Sequence, residues 1–284
     1  MMKKILLLVS LFTVLFASAQ PQDSLFVWKA GVMIHKQSIK PADMDSITFK
    51  RPTNPNDINI AGPNVTDIDG NVYASVTNCG LTFTKQNLNV SKYSDGTPIP
   101  QVTNPTDWAN LTTGAWCYYN NDPASEAVYG KLYNWYAAAG IYDAASLANP
   151  ALRKKLAPTG WHVPTDSEWS SLINCLDPNA DGGNTLPNVA GGKMKSTGTL
   201  QAGTGLWQSP NTDATNESGF TGLPGGCRCG AGTAAGIGIG GLWWSSSEND
   251  ASSAWSRDLN NGNGNAFGYY GFKKFGFSVR CLRD

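Results

Sequence analysis

From Asp177 to the C-terminus, glycine and asparagine interrupt the chain so often that only short strands fit between successive turns. The last of these runs alternates apolar and polar residues from Phe277 to Cys281, which predicts a half-buried strand. The C-terminal third is therefore predicted to consist of turns and of strands at Leu242–Ser246, Ala254–Leu259, Ala266–Phe272 and Phe277–Leu282.

Helical periodicity is concentrated in two earlier segments. Tyr129–Gly140 carries apolar residues at helical spacing and ends on a glycine. Thr165 and Glu168 have the spacing of a capping box, which predicts that a helix begins there and continues to Leu176. The prediction is an α+β fold with two helices in the first half and short strands in the second. We expect its core to bring together Trp161, Trp169, Leu172, Phe277 and Val279.

Composition and charge argue against several functional classes. The 21 basic and 21 acidic residues cancel, so there is no basic surface of the kind that nucleic acid requires. The two histidines, His35 and His162, are not spaced as metal ligands, and neither a metal nor a cofactor is predicted. The glycine-rich stretch Gly230–Gly241 has no Lys-Ser/Thr ending, which argues against a phosphate-binding loop.

The first twenty residues have the organisation of a secretory signal peptide. Lys3 and Lys4 precede an apolar run from Ile5 to Phe16, and Ala17–Ala19 forms a small-x-small cleavage site. The apolar run is short for a bilayer span, so we expect removal of residues 1–19 and no membrane span afterwards. The predicted location is outside the cell or on the bacterial cell surface.

The remainder divides by composition into three parts. Residues 20–50 are predicted to form a small β-like segment with a hairpin turn near Lys29–Gly31, residues 51–65 a linker rich in proline and asparagine, and residues 66–284 the main domain. Six cysteines in an exported chain favour disulfides, and fifteen pairings are open. Cys227 and Cys229 are not expected to pair with each other, because the ring would be strained.

Four motifs, taken in order, resemble a family of exported bacterial proteins, the Fibrobacter succinogenes major paralogous domain. They are YGKLYNWYAA (Tyr129–Ala138), PTGWHVPTDSEW (Pro158–Trp169), GLWWSSSE (Gly241–Glu248) and FGFSVRCLRD (Phe275–Asp284). A more distant similarity to sulfatase-modifying-factor domains implies a C-type-lectin-like fold, with two helices, short antiparallel strands and pairing between the N-terminal and C-terminal strands.

The lectin-like resemblance implies a ligand face in Leu242–Gly271. Aromatic plates and short amides suit a glycan or a protein surface, so the hypothesis is an exported, non-catalytic binding or adhesion module. Its candidate residues are Trp244, Arg257, Asn260, Asn261, Asn263, Asn265, Tyr269 and Tyr270. The alternative for the asparagine run is ordinary turn composition.

Two other functions stay open. Cys227 and Cys229 are the one place for chemistry like that of the formylglycine-generating thiol and metal oxidases, although their spacing is shorter. Trp255–Tyr270 has the composition of a receptor segment diversified by a retroelement, and ordinary turns explain it more simply. Ser247–Asp250 offers oxygens to a hard cation, and a solvated turn is the preferred interpretation.

Overall fold

A computed structural model of the protein describes the backbone of residues 23–29 and 32–39 and the whole of residues 57–284. The chain divides into two compact units, Met1–Pro52 and Thr53–Asp284, and each is described by itself. In the first unit, β1 (Asp23–Lys29) and β2 (Val32–Ile39) form the predicted antiparallel hairpin. The predicted signal peptide lies outside the described residues, and the proposed domain limits stay predictions.

The second unit is built mainly from short strands and short helices. Its further strands are β3 (Ile60–Ala61), β4 (Val65–Thr66), β5 (Val72–Tyr73), β6 (Ser75–Asn78), β7 (Leu81–Thr84), β8 (Trp116–Cys117), β9 (Leu132–Tyr133), β10 (Trp161–His162), β11 (Gly225–Arg228), β12 (Ala234–Ile237), β13 (Gly240–Glu248), β14 (Ser253–Asn260), β15 (Ala266–Phe272) and β16 (Leu282–Arg283). Its α-helices are α1 (Pro105–Ala109), α2 (Glu126–Tyr129), α3 (Trp135–Ala138), α4 (Ala144–Ala148), α5 (Asp166–Leu176) and α6 (Ala190–Met194).

Two five-stranded sheets organise this unit. One has the strand order β10-β16-β7-β6-β3, so the last strand of the chain pairs with an early one. The other has the order β12-β11-β13-β14-β15, in which β13, β14 and β15 form an antiparallel meander and β15 is an edge strand. The fold is therefore mixed α+β and mostly β, as predicted at that level.

The helix predicted from the capping box is present. The Thr165 hydroxyl accepts a hydrogen bond from the Glu168 backbone N–H, and the Glu168 carboxylate accepts one from the Thr165 backbone N–H at 2.8 Å. These bonds satisfy N–H groups that the first turn of a helix leaves without partners. The apolar stripe of α5 is buried, and it includes Trp169 and Leu172.

The other predicted helix, Tyr129–Gly140, is wrong as a continuous element. Gly130 has φ of +69° and ends α2, and Asn134 caps the separate helix α3. Between them Tyr133 exchanges both backbone hydrogen bonds with Phe277, at 2.9 and 3.0 Å. A pairing partner 144 residues further along the chain thus overrides the local helical pattern.

The predicted core residues are all buried, but they belong to two clusters. Trp161, Phe277 and Val279 lie in one cluster, and Trp169 and Leu172 lie in the other. Strand β13 contributes to both clusters, because successive strand residues point to opposite faces of a sheet. Its neighbouring tryptophans accordingly divide, so that Trp244 joins the first cluster and Trp243 joins the second.

The C-terminal run is buried on both sides and is not the half-buried strand that its alternation predicts. Ser278 and Arg280 are buried together with their apolar neighbours. The Arg280 guanidinium donates to Asn87 Oδ1 at 2.7 Å and to the carbonyls of Thr84 and Phe220. Hydrogen bonds from the surrounding loops therefore make burial of this polar face possible.

The described cysteines form one disulfide, between Cys79 and Cys175, which links the turn after β6 to α5. Cys117 and Cys281 are buried free thiols, and Cys227 and Cys229 are half-buried free thiols. Part of the predicted linker, Ile60–Ala61, is strand β3 and pairs with β6. In residues 57–284 and the two described N-terminal strands, no helix is long and apolar enough to cross a bilayer.

Candidate binding surface

The candidate surface lies on the edge strand β15. In the antiparallel register with β14, Tyr270 is opposite Trp255 and Tyr269 is opposite Ser256. Gly271 lies between the exposed residues, where an added Cβ would come within about 3.2 Å of the Trp244 and Phe277 rings. The missing side chain lets β15 approach the core closely at this position, between the exposed Tyr270 and Phe272.

Three large aromatic side chains on this strand are exposed. The exposed fraction is 60% for Tyr269, 51% for Tyr270 and 60% for Phe272. The two tyrosine rings are stacked, with centroids 5.4 Å apart and planes inclined by only 6°. Trp255 meets Tyr270 edge-on at 6.0 Å. We refer to Trp255, Tyr269, Tyr270 and Phe272 as the aromatic edge.

The outer backbone of β15 is covered at one end only. The Asn188 side chain accepts from the Ala266 N–H at 2.9 Å and donates to the Ala266 carbonyl at 3.0 Å. On an antiparallel edge strand, every second residue directs its backbone N–H and carbonyl away from the neighbouring strand. Gly268 and Tyr270 therefore direct these groups to the same outer side as Ala266. The turn at Gly183 packs against Gly268, so the open part of the edge is at Tyr270.

Trp244 was predicted to contribute to the ligand face, but it is fully buried. Its ring packs against Phe277 with centroids 4.3 Å apart, and its Nε1 donates to the Tyr133 carbonyl at 2.8 Å. Trp244 lies on central strand β13, and Phe277 of the C-terminal run packs over its ring. Trp244 is therefore core, and the surface prediction for it is wrong.

Arg257 is likewise buried and does not join the surface. Its guanidinium donates to Asp166 Oδ1 at 2.6 Å and to the Ser170 hydroxyl at 2.8 Å, both in α5. The ion pair fixes the first turn of α5 against β14. Burial lowers the pKa of Arg257, and the neighbouring Asp166 carboxylate opposes that shift.

The asparagine run between β14 and β15 is half-buried and forms part of the scaffold. Its backbone surrounds the buried ammonium of Lys195, which donates to the carbonyls of Asn260 and Asn263 at 2.9 and 2.8 Å and to the carbonyl of Thr212. Burial lowers the pKa of Lys195 to about 8. The asparagine run was predicted to be exposed. That prediction is wrong, because carbonyls of the run bind the ammonium of Lys195, the residue that follows α6.

The asparagine side chains also make bonds within the protein. Asn261 donates to the carbonyls of Gln208 and Ser209, and Asn265 accepts from the backbone N–H of Asn188 at 2.7 Å. The Asn260 and Asn263 side chains each accept from a backbone N–H within the turn. Each of the four asparagine side chains therefore makes at least one hydrogen bond within the protein.

Sequence reasoning omitted two members of the aromatic edge from the candidate residues. Phe272 follows Tyr270 by two positions and lies on the same face of β15, which strand alternation indicates. Trp255 joins through its register position opposite Tyr270. Alternation in the sequence could have shown Phe272, whereas Trp255 required the pairing register.

Two other candidate sites, the turn at Ser247–Asp250 and the Cys227 and Cys229 thiols, lie within residues 57–284. The turn at Asp250 is closed by its own hydrogen bonds, since Asp250 Oδ1 accepts from the backbone N–H groups of Ser252 and Ser253, and Glu248 pairs with Lys273. In the part of the chain that the structure describes, no three acidic, histidine or cysteine side chains are grouped to hold a metal. Burial raises the pKa of the Cys227 thiol to about 12, and the neighbouring Cys229 and Asp258 reinforce that shift.

The fold and its surface define a mixed α+β protein, mostly β, with aromatic side chains exposed along one sheet edge. The profile of the Fibrobacter succinogenes major domain matches residues 76–283, and the chain belongs to that family. No curated protein and no solved structure matches the chain.

Proposed function

We propose that the protein is an exported, non-catalytic binding module whose aromatic edge holds an extended glycan. The observation that carries this proposal is the exposed, nearly parallel stack of Tyr269 and Tyr270, with a third exposed ring, Phe272, two positions further along β15. Exposed aromatic side chains contribute large apolar areas at low conformational cost, and exposed apolar clusters in folded proteins mark interaction surfaces.

The chemistry of the edge suits a ligand with flat apolar faces and hydroxyl groups. The aromatic rings give area for the C–H faces of sugar rings, and the phenolic hydroxyls of Tyr269 and Tyr270 both donate and accept hydrogen bonds. The Tyr269 and Tyr270 rings stack on each other, and Phe272 follows on the face of Tyr270, so the exposed rings extend along β15. A chain of sugar units therefore fits this surface better than a single compact molecule.

A polypeptide strand is the second candidate ligand. Its support is the outward N–H and carbonyl of Tyr270, which the alternation from Ala266 implies. An added strand would pair with these groups and place alternate side chains against the aromatic rings. This mode predicts loss of binding when the ligand backbone is N-methylated, which has no counterpart for a glycan.

The compartment and the finer fold type are part of the proposal. A signal peptide cleaved after Ala19 would place the aromatic edge outside the cell, and mass spectrometry of the exported protein tests for an N-terminus at Gln20. A C-type-lectin-like arrangement is supported by the pairing of early strand β7 with the last strand, β16.

The binding function is tested with the full chain on a glycan array, followed by calorimetric titration of the best glycan. Tyr269→Ala, Tyr270→Ala and Phe272→Ala are each expected to lower affinity about fivefold or more, in line with the loss of an aromatic contact. Tyr142→Ala is the matched control, because Tyr142 is an exposed tyrosine outside β15.

Equal effects of Tyr142→Ala and Tyr270→Ala would contradict a site at the aromatic edge. Glycan binding that survives all three edge substitutions would also exclude it. Capture of an unlabelled strand peptide, without any glycan, would instead establish the polypeptide mode.

A further inference from the structure

A second recess lies away from the aromatic edge, between α3, the segment before β10 and the end of β13. The cleft has a volume of about 280 Å³. Part of its wall is apolar and part is basic. The apolar wall includes Ala138, Leu156, Ala157 and Val163, and the polar wall includes Arg153 and Lys155.

Two of the basic side chains in this cleft already contact carboxylates. Lys154 forms an ion pair with Asp95. The ring nitrogens of His162 lie 3.0 Å from the Glu168 carboxylate and 2.6 Å from the Asp284 carboxylate. These contacts leave neither side chain available as the main anchor of an anionic ligand.

Arg153 and Lys155 differ, because neither has an acidic partner within residues 57–284. The Arg153 Nε is buried and has no hydrogen-bond partner. The guanidinium lies 5.9 Å from the ring of Trp135, whose Nε1 is fixed by the Ser245 carbonyl at 3.0 Å.

The Nε is sealed from solvent, so a ligand in the cleft would reach the Arg153 guanidinium through its Nη groups, which have no hydrogen-bond partner within residues 57–284. The planar guanidinium is also the side chain best suited to a two-pronged contact with a carboxylate, sulfate or phosphate. An oxyanion in the cleft would accept hydrogen bonds from these Nη groups and pair with Lys155 at the same time.

We propose that this cleft binds the oxyanion of a small organic ligand, with Arg153 as its anchor and Lys155 as the second cation. The apolar wall formed by residues such as Leu156 and Val163 contacts the ligand's uncharged body. The volume matches a group of about monosaccharide size, at the small end of ligand sites. The site is independent of the aromatic edge.

The proposal is tested by titrating the full chain with glucose and with three charged relatives, glucuronate, glucose 6-sulfate and glucose 6-phosphate. Calorimetry gives the affinity, and nitrogen-15 NMR of arginine side chains follows the Arg153 Nε–H directly. We expect binding of at least one charged sugar, no binding of glucose, and a downfield shift of that one signal. The three arms identify which oxyanion the site prefers.

Variants separate a specific site from general charge attraction. Arg153→Gln is expected to lower affinity about tenfold or more, and Arg153→Lys about threefold, because lysine keeps the charge but loses the fork. Lys155→Gln is expected to lower affinity by a smaller factor. Lys85→Gln, the matched loss of one positive charge outside the cleft, and Tyr270→Ala are expected to leave affinity unchanged.

Several results would overturn the proposal. They are equal binding of glucose and glucuronate, an unmoved Arg153 Nε–H signal at saturation, or the same loss from Lys85→Gln as from Arg153→Gln. If Arg153→Gln fails to fold, the comparison of Arg153→Lys with Lys155→Gln still decides the question, since unchanged affinity in both contradicts the site.

Discussion

The centre and the edge of one sheet use aromatic residues in opposite ways. On β13, Trp243 and Trp244 are fully buried, one on each face. On β15, two strands away, Tyr269 and Tyr270 are adjacent in the same manner, yet both are exposed. A central strand has neighbours on both sides and layers on both faces, whereas an edge strand lacks one of these neighbours.

The difference shows that position in the sheet decides which residues are available to a ligand. Arg257 illustrates it, since a charged side chain on central strand β14 is buried against α5 and paired with Asp166. The asparagine run after β14 follows the same logic around Lys195. Of the candidate ligand residues that composition suggested, Tyr269 and Tyr270 of the aromatic edge are therefore the ones that remain exposed.

The largest expected effect is at the centre of the sheet. Trp244→Ala should lower the free energy of unfolding by about 3–5 kcal/mol, because it leaves a cavity beside Phe277. Urea denaturation followed by circular dichroism measures this change. A loss below about 1 kcal/mol would mean that the two regions do not differ in packing as described.

A second effect concerns Asp258, which lies on β14 with its Oδ1 buried and without a hydrogen-bond partner. Burial raises the pKa of this carboxyl to about 7. The unfolded chain ionises it near its ordinary value of about 3.9. Stability is therefore highest at low pH for this group and falls as pH rises between those two values.

Comparison of the protein with Asp258→Asn isolates this contribution from other carboxylates. We expect the unfolding free energy of the asparagine variant to gain about 2 kcal/mol over the parent between pH 5 and pH 8. Urea denaturation at several pH values measures it. Parallel pH profiles for the two proteins would show that Asp258 is ionised at no unusual cost.

A smaller effect is expected in the asparagine turn. Asn263→Ala removes the acceptor of the Asn265 backbone N–H and should cost about 1 kcal/mol. Thermal unfolding monitored by circular dichroism gives the change. An unfolding temperature that does not change measurably would show that the turn does not contribute to the scaffold.

The smallest effect on stability is expected at the edge itself. Tyr269→Ala and Tyr270→Ala should each change the unfolding free energy by less than about 0.5 kcal/mol, because exposed side chains contribute little to packing. Urea denaturation of each variant beside the Tyr142→Ala control tests this. Losses comparable to that of Trp244→Ala would assign the stacked tyrosines to the scaffold.

Features governed by neighbouring residues could be predicted from the sequence. The capping box at Thr165 depends on contacts three residues apart, and the limits of β15 depend on the turn residues that flank it; both were predicted. The helix over Tyr129–Gly140 failed because Tyr133 pairs with Phe277. Such long-range partners leave no signal in a local pattern.

Long-range contacts also explain why only part of the candidate surface could be predicted from the sequence. The exposure of Tyr269 and Tyr270 was predicted from composition, but the burial of Arg257 depends on α5, whose contact with β14 only the folded structure shows. The basic cleft was missed because Arg153 and Lys155 line it together with Ala138 of α3 and Ser246 of β13, and only the folded structure brings these segments together.

The central claim is that the aromatic edge binds a ligand without supporting the fold. Calorimetric titration of the best array glycan into the parent and the Tyr269→Ala/Tyr270→Ala double variant, beside urea denaturation of both, tests it most directly. The account predicts at least a tenfold loss of affinity with an unfolding free energy changed by less than about 1 kcal/mol. Unchanged affinity, or affinity and stability lost together, would contradict it.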